Sequence, residues 1–297
     1  MFGPWGEKDV SNMTGPIDDP LDLFSKYLRI TGVVRTTPEL IGRPPLLGKR
    51  LGLLNGASWV ALWSSYFGRL YLPGVQLLNV GNDAVQLSFM QAHETNQECP
   101  PPTNVDRFVE YAKDLAELGG VDAVLITCST MNRSFTVVER ALEPQGIPVV
   151  QIDGAMMEAA VEHGGCILVV ATHGPTVAST NALLDETAAR LGRGIAKDGL
   201  IVEHAWTELS AGNLRNHNTA IASAIRGKLR ERSYSCVVLA QLSMASLLFS
   251  FPDPIEEFGV PILNSAECGF RRIREILESM PDSPRLIGGR HPCRKCQ

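Results

Sequence analysis

The feature that most constrains this sequence is an internal repeat. The segment VDAVLITCSTM aligns with YSCVVLAQLSM, and GIPVVQI aligns with GVPILNS. The first alignment places Cys128 opposite Gln241, the second places Pro148 opposite Pro261, and both pairs are 113 residues apart. Two separate segments that keep one offset indicate a duplicated structural unit.

The pattern of apolar residues shows what kind of unit is duplicated. Short apolar runs such as RLGLLN and CILVVAT predict buried strands, and they alternate with amphipathic stretches such as 105–118 and 218–232 that predict helices. Continuous apolar strands separated by helices are typical of a parallel sheet covered on both faces. We therefore expect an α/β fold with two pseudo-symmetric Rossmann-like halves, each a parallel sheet flanked by helices, and an active site in the cleft between them.

The repeat also predicts how the chain divides. The first 48 residues are rich in Pro, Gly and Asp, and within them only residues 21–28 predict a short helix. The expected division is an N-terminal arm at 1–48, a first half at 49–152 and 262–285, a second half at 153–261, and a tail at 286–297.

Charge and composition narrow the partners. The chain carries 27 Lys and Arg against 32 Asp and Glu, a net charge of −5, with no long run of either sign. We therefore expect a small-molecule substrate, and neither nucleic acid nor a membrane as partner. No stretch reaches the roughly 20 consecutive apolar residues that span a bilayer, and the N-terminus lacks a basic segment followed by an apolar one. Seven cysteines, an odd number, favour reduced thiols and predict a cytoplasmic protein.

Two incomplete motifs argue against a bound cofactor. Cys293, Cys296 and His291 fall one ligand short of a structural zinc site, and no second pair is spaced to complete it. The glycine-containing segments LNGAS and THGPT lack the GxGxxG and GxxxxGK[ST] patterns that bind nucleotides. We expect no metal and no cofactor.

The residues at two strand ends predict a site. Ligands of open parallel sheets bind beyond the carboxyl ends of the strands, so Cys128 and Gln241 are expected to face each other across one cleft. Small polar residues, Ser129, Thr130 and Asn132, follow Cys128. Backbone N–H groups at the start of the next element favour a thiolate, which predicts a depressed Cys128 pKa and fast alkylation near neutral pH.

These features resemble the aspartate/glutamate/hydantoin racemase superfamily, which also includes arylmalonate decarboxylase and maleate isomerase. The resemblance covers about residues 50–272. In the racemases, two cysteines at two strand tips act without a cofactor: one removes the α-proton from one face of the substrate and the other returns a proton to the opposite face. The resemblance implies that Cys128 is the first of these cysteines.

The same resemblance implies a set of substrate-binding residues. Ser129 and Thr130 match the small polar residues that hold the substrate carboxylate, and the segments ATHGPTVAST and LLNGAS match two further strand ends that contribute to the family's site. The expected substrate-binding residues are Asn55, Ser58, Asp83, Ser129, Thr130, Asn132, Thr172, Thr176 and Ser243.

The sequence departs from the family at the second cysteine, where it has Gln241. An amide is neither an acid nor a base near neutral pH, but it can hydrogen-bond a carboxylate or a developing enolate oxygen. His173, at a strand tip of the second half, is our candidate for the missing acid or base, or for a group that activates Cys128. Asp83 and Glu267 are further candidates.

Three functions stay open on the residues alone. The favoured one is a cofactor-independent isomerase that moves a proton at a carbon next to a carboxylate or related carbonyl. The alternatives are a single-cysteine lyase (decarboxylase) or hydrolase on the same scaffold, and a binding protein without catalysis.

The stretch SWVALWSSYFGRLYLPG predicts a helix that faces the core or a partner in a homodimer. Small polar strand ends favour a small polar substrate, unless Trp59, Trp63 and Trp206 line the pocket.

Overall fold

The computed structural model describes residues 20–36 and 41–282, which contain two four-stranded parallel sheets. The strand orders are β2-β1-β3-β4 and β6-β5-β7-β8. The strands are β1 Arg50–Asn55, β2 Gln76–Gly81, β3 Ala123–Ile126, β4 Val149–Gln151, β5 Cys166–Ala171, β6 Ala196–Ile201, β7 Cys236–Leu239 and β8 Ile262–Asn264.

Helices connect the strands and cover both faces of each sheet. They are α1 Pro20–Thr31, α2 Val60–Tyr71, α3 Asp83–Glu94, α4 Pro102–Glu117, α5 Phe135–Leu142, α6 Gly154–His163, α7 Gly174–Arg190, α8 Glu203–Ser210, α9 Leu214–Glu231, α10 Leu247–Ser250, α11 Pro254–Phe258 and α12 Ser265–Ser279. Short 3₁₀ helices span Pro44–Leu46, Ser129–Ser134, Glu143–Gln145 and Leu242–Ser246.

The repeat seen in the sequence is a repeat of structure. β3 and β7 begin 113 residues apart, as do β4 and β8, and a 3₁₀ helix follows β3 and β7 alike. β1 and β5 begin 116 residues apart, because the connections differ in length. The predicted fold, two similar α/β halves with parallel sheets, is confirmed.

The central strands are apolar at every position because each face of the sheet has its own core. In β3, Ala123 and Leu125 pack into one apolar cluster, and Val124 and Ile126 pack into another on the opposite face. β7 alternates in the same way. Side chains of a strand point alternately to the two faces, so a strand buried on both faces loses the polar alternation of a half-exposed one.

The predicted return to the first half at residue 262 is three residues too early. β8 pairs with β7, with Val237 opposite Ile262, and therefore closes the second sheet as β4 closes the first. The chain returns to the first half with α12, whose Phe270 and Leu277 pack with Leu51 of β1 in the core of that half. β8 therefore belongs to the second sheet, and the helix after it packs on the first half.

The termini are described only in part. α1 lies where the sequence predicted a short helix. Residues 1–19, 37–40 and 283–297 lie outside the described residues, and so does the Cys293, Cys296 and His291 cluster. Among the helices that the structure describes, none is long and apolar enough to cross a membrane.

Candidate active site

One cavity of about 240 Å³ lies at the carboxyl ends of the strands and receives residues from both halves. Cys128 and Gln241 both line it. Each follows the end of its central strand and is the N-cap residue of a 3₁₀ helix, with an extended backbone. The two positions that the repeat aligned therefore face the same cavity.

The structure brings some of the expected site residues to this cavity and leaves others outside it. Those that line it are Cys128, Ser129, Thr130, His173, Thr176, Gln241 and Ser243. Those that do not are Asn55, Ser58, Asp83, Asn132 and Thr172.

The Cys128 thiol sits in a tight environment at the end of β3. The Thr130 hydroxyl lies 3.2 Å from its Sγ. A Cβ added to Gly56 would approach that sulfur to 2.4 Å, so glycine is required for the approach of β1 to the thiol. Cys128 borders the cavity, yet protein surrounds its sulfur, and this burial raises the pKa of Cys128.

The expectation of a depressed Cys128 pKa was therefore wrong. Hydrogen bonds from the Thr130 hydroxyl and from the backbone N–H groups of Met131 and Thr130 do lower the pKa, as the sequence suggested. Desolvation of the sulfur outweighs them, and the negative charge of Asp153 adds to the rise. The resting group is a thiol.

Asp153 is a component of the site that the sequence analysis missed. It precedes α6, only 2% of it is exposed, and neither carboxyl oxygen has a hydrogen bond of good geometry. Burial raises the pKa of Asp153 to about 7, and the nearby Ser129 hydroxyl lowers it slightly. The only sequence signal is a carboxylate two residues beyond β4, at the edge where the other strand-end residues lie.

Gln241 has a defined amide orientation. Its Oε1 accepts hydrogen bonds from the Thr172 backbone N–H at 2.7 Å and from the Thr172 hydroxyl at 2.9 Å. A backbone N–H can only donate, so the atom it contacts must be the oxygen. Within the described chain no hydrogen bond uses the Gln241 Nε2, which leaves its N–H donors for a ligand. Thr172 therefore acts by holding Gln241.

His173 lines the cavity at the start of α7. Its Nδ1 lies 2.8 Å from the Thr176 Oγ1, and its ring meets the edge of Trp206 at 5.5 Å between centroids. Burial lowers the pKa of His173, and the nearby His93 on the cavity wall lowers it further. The resting imidazole is neutral and can accept a proton.

Asn55, Ser58 and Asp83 have partners within the protein. The fully buried Asn55 accepts from the Ser64 hydroxyl at 2.9 Å and from the Thr127 hydroxyl at 2.7 Å, and its amide donates to Asn79. These bonds tie the tips of β1, β2 and β3 together.

The Ser58 and Asp83 pair lies at the exposed surface. The Ser58 hydroxyl and backbone N–H both donate to the Asp83 carboxylate, and these bonds lower the pKa of Asp83. Asn132 accepts from the Ser179 hydroxyl at 3.1 Å and so links the 3₁₀ helix after β3 to α7. Asn132 and the Ser58 and Asp83 pair therefore brace the surroundings of the site.

The opposite wall of the cavity is apolar, and α2, α3 and α8 build it. Trp59, Trp63 and Trp206 all line the cavity, which is the alternative that the sequence left open. Further apolar residues of this wall are Val60, Val85, Phe89 and Met90. The sequence signal was the aromatic spacing of the helix after β1, but nothing in the sequence joined it to Trp206.

Of the other histidines and acids, His93 and Glu94 also line the cavity. His217 is fully buried, with its Nδ1 2.8 Å from the Ala205 carbonyl oxygen. In the described part of the chain no cluster of three His, Cys, Asp or Glu residues has the arrangement of a metal site, and Glu267 does not line the cavity. The five described cysteines are free: Cys99, Cys128, Cys166, Cys236 and Cys268.

Comparison with known proteins agrees with this architecture. Residues 80–273 match the family model described as Asp/Glu/Hydantoin racemase. No curated protein has a sequence that matches this chain.

Several solved structures share the fold. An aspartate racemase homologue from Pyrococcus horikoshii OT3 is 19% identical with a TM-score of 0.56, over 78% of this chain and 100% of that one. Glutamate racemase from Thermus thermophilus is 16% identical with a TM-score of 0.53, over 80% and 82% of the two chains. Allantoin racemase from Klebsiella pneumoniae is 15% identical with a TM-score of 0.53, over 80% and 91%.

Proposed function

Because the chain belongs to the aspartate/glutamate/hydantoin racemase family, we propose that it is a cytoplasmic, cofactor-independent isomerase that moves a proton at a carbon next to a carboxylate or related carbonyl. The observation that carries the proposal is that a thiol, an imidazole and a free amide donor, from Cys128, His173 and Gln241, line one cavity at the strand ends of both halves. The free state of the described cysteines supports a reducing compartment.

The directions of the two pKa shifts support His173 as the base of the first proton step. Near neutral pH the raised pKa of Cys128 keeps a thiol and the lowered pKa of His173 keeps a neutral imidazole. The His173 Nε2 takes the α-proton from one face, and the electron pair of the C–H bond passes into the enolate. The Cys128 thiol then gives its proton to the opposite face of that carbon. The reverse reaction starts from the imidazolium and the thiolate.

Gln241 stabilises the charge that develops between these two proton transfers. Its Oε1 is held by Thr172, so its Nε2 is oriented before the reaction and can donate to the enolate oxygen. A donor that needs no reorganisation at the moment of reaction is the usual way in which an enzyme stabilises such an oxyanion. Gln241 thus replaces the second cysteine in position and takes a different role.

The test is proton NMR in deuterated water with a panel of amino acids, hydantoins and 2-substituted carboxylates. We expect loss of the α-proton signal and racemisation with the wild type, and no racemisation with Cys128→Ala, in which His173 alone can exchange the proton on one face only. Chiral analysis then separates racemisation from exchange on one face, and His173→Gln is expected to abolish racemisation. Silence across the panel, or racemisation that persists in Cys128→Ala, contradicts the proposal.

One observation favours a lyase as the second candidate. Decarboxylation needs a single proton donor for the carbanion, and a thiol with a raised pKa meets that need without a second acid. In that reaction the C–C bond to the leaving carboxylate breaks, Gln241 holds the enolate, and Cys128 donates the proton. Release of carbon dioxide from substituted malonates without α-proton exchange identifies this activity.

A further inference from the structure

The proposed reaction does not say which part of the substrate contacts the apolar wall of the cavity. Trp59 and Trp206 meet edge to face with their ring centroids 6.2 Å apart. The Trp59 Nε1 donates to the Gln86 Oε1 at 2.9 Å, so the polar edge of that indole is satisfied and its remaining ring surface is apolar. Phe89 and Met90 of α3 extend this surface.

The charges around the cavity point away from a dicarboxylic substrate. Among the described residues that line the cavity there is no lysine or arginine. The carboxylate among them is that of Glu94. A second carboxylate on the substrate would lose its hydration without gaining a cation, and it would meet a group of like charge. The polar donors of the lining lie at the strand ends, in Gln241 and the small polar side chains, and they carry no positive charge.

The cavity is large enough for an aromatic substituent. A protein cavity of about 150 Å³ accepts benzene. The cavity here is about 240 Å³, which leaves room for an aromatic ring and for the carbon that carries the carboxylate or carbonyl. His173 contacts the edge of Trp206, so the proton-transfer groups border directly on the apolar wall.

We propose that the substrate carries an aryl-sized apolar group on the reacting carbon, seated between Trp59, Trp63 and Trp206, and has only one acidic group. The proposal rests on the proposed function for the identity of the reacting carbon. The binding preference itself does not depend on turnover.

Calorimetric titration of Cys128→Ala with ligand pairs that differ only in the substituent tests this preference. The pairs are 5-phenylhydantoin with 5-methylhydantoin, and phenylglycine with alanine, and aspartate is the dicarboxylic probe. We expect the phenyl member of each pair to bind about tenfold or more tightly, since a buried ring removes much more apolar surface from water than a methyl group. Equal affinities within the pairs, or tighter binding of aspartate, overturn the proposal.

The substitution Met90→Arg tests the same preference without a change in the core. Met90 lines the cavity and is 39% exposed, so Met90→Arg places a cation on the wall at a position that tolerates a long side chain. We expect it to weaken phenyl ligands about tenfold and to strengthen aspartate. Leu87→Arg is the matched control, because Leu87 lies on the same helix, is 58% exposed and does not line the cavity. Equal effects of the two substitutions overturn the proposal.

The two proposals fail in different ways. Tight binding of phenyl ligands without α-proton exchange in the wild type would leave the substrate class standing and remove the isomerase. Exchange of the α-proton of alanine or aspartate, without any preference for phenyl ligands, would leave the isomerase standing and remove the proposed substrate class.

Discussion

At the scale of single residues, the chemistry depends on how burial sets the charge of Cys128. The sequence drew attention to the polar neighbours and backbone N–H groups that favour a thiolate. In the folded chain, burial of the sulfur and the nearby Asp153 outweigh them, and the pKa of Cys128 is raised.

The first prediction concerns the pH at which Cys128 reacts. We expect alkylation of Cys128 by iodoacetamide to be slow at neutral pH and to rise as pH passes above the ordinary range for a thiol. Asp153 is charged above about pH 7 and then raises the Cys128 pKa. Asp153→Asn should thus shift the labelling profile to lower pH, measured by peptide mass mapping. Asp106→Asn, on the exposed face of α4, is the charge control.

Two results would contradict this account. One is fast labelling of Cys128 at neutral pH. The other is a profile that does not move in Asp153→Asn, or that moves equally in Asp106→Asn.

The second prediction concerns the amide of Gln241. Gln241→Ala removes the donor that faces the cavity and should lower kcat by about 100-fold, in the range observed when an oxyanion donor is deleted. Thr172→Val removes the hydroxyl that holds Oε1 but keeps the backbone N–H, so the expected loss is much smaller. Steady-state kinetics on the substrate found by NMR checks the order of these effects, and equal losses would argue for a purely structural role.

At the scale of elements, the end of β1 shapes the site through Gly56, the residue that follows it. An added methyl group at Gly56 would approach the Cys128 sulfur to 2.4 Å, well inside a normal contact. Gly56→Ala should therefore turn the thiol away from its position and reduce the rate of racemisation at least about tenfold, while thermal stability changes little because the sulfur can move. Gly194→Ala, where an added methyl group meets nothing within 4 Å, is the matched control.

The repeated elements were predictable where the two copies match in length. The pairs β3 with β7 and β4 with β8 keep the 113-residue offset, and the sequence alignment found both. The offset is 116 residues for β1 with β5 and 120 residues for β2 with β6, because the connections between corresponding strands differ in length in the two halves. Loop length is only weakly constrained by stability, so duplicated folds lose their sequence register first in the connections.

At the scale of the whole molecule, Asp153 links the site to the stability of the fold. The pKa of this carboxyl is about 7 in the folded chain against 3.8 in the reference state. A carboxyl with a higher pKa in the folded than in the unfolded chain takes up a proton on folding, so the free energy of unfolding falls as pH rises from about 4 to about 7. The loss is of the order of 4 kcal/mol and is complete above that window.

This linkage gives the fourth prediction. Asp153→Asn has no proton to lose, so urea unfolding of this variant should show little of the decline between pH 4 and pH 7. It should be more stable than the wild type above about pH 7 by a few kcal/mol. The same decline in both proteins would show that other groups cause it.

The homodimer expected from the sequence also stays a prediction, which analytical ultracentrifugation checks.

The sequence by itself determined the backbone framework of this protein. Apolar runs of strand length, the helices between them and a constant repeat offset defined two α/β halves, and the carboxyl-end rule placed Cys128 and Gln241 at one cavity. These features depend on local periodicity and on topology, both of which a sequence carries directly.

Only the tertiary structure decided the chemical environment of that cavity. It buried Asp153 beside Cys128, aimed the Gln241 amide through Thr172, and brought Trp206 of α8 against Trp59, which precedes α2. It also placed Asn55 where its side chain hydrogen-bonds to residues of the neighbouring strand ends and not to a ligand. Desolvation and side-chain orientation depend on atoms from elements far apart in the chain, and no local pattern records which of those elements will meet.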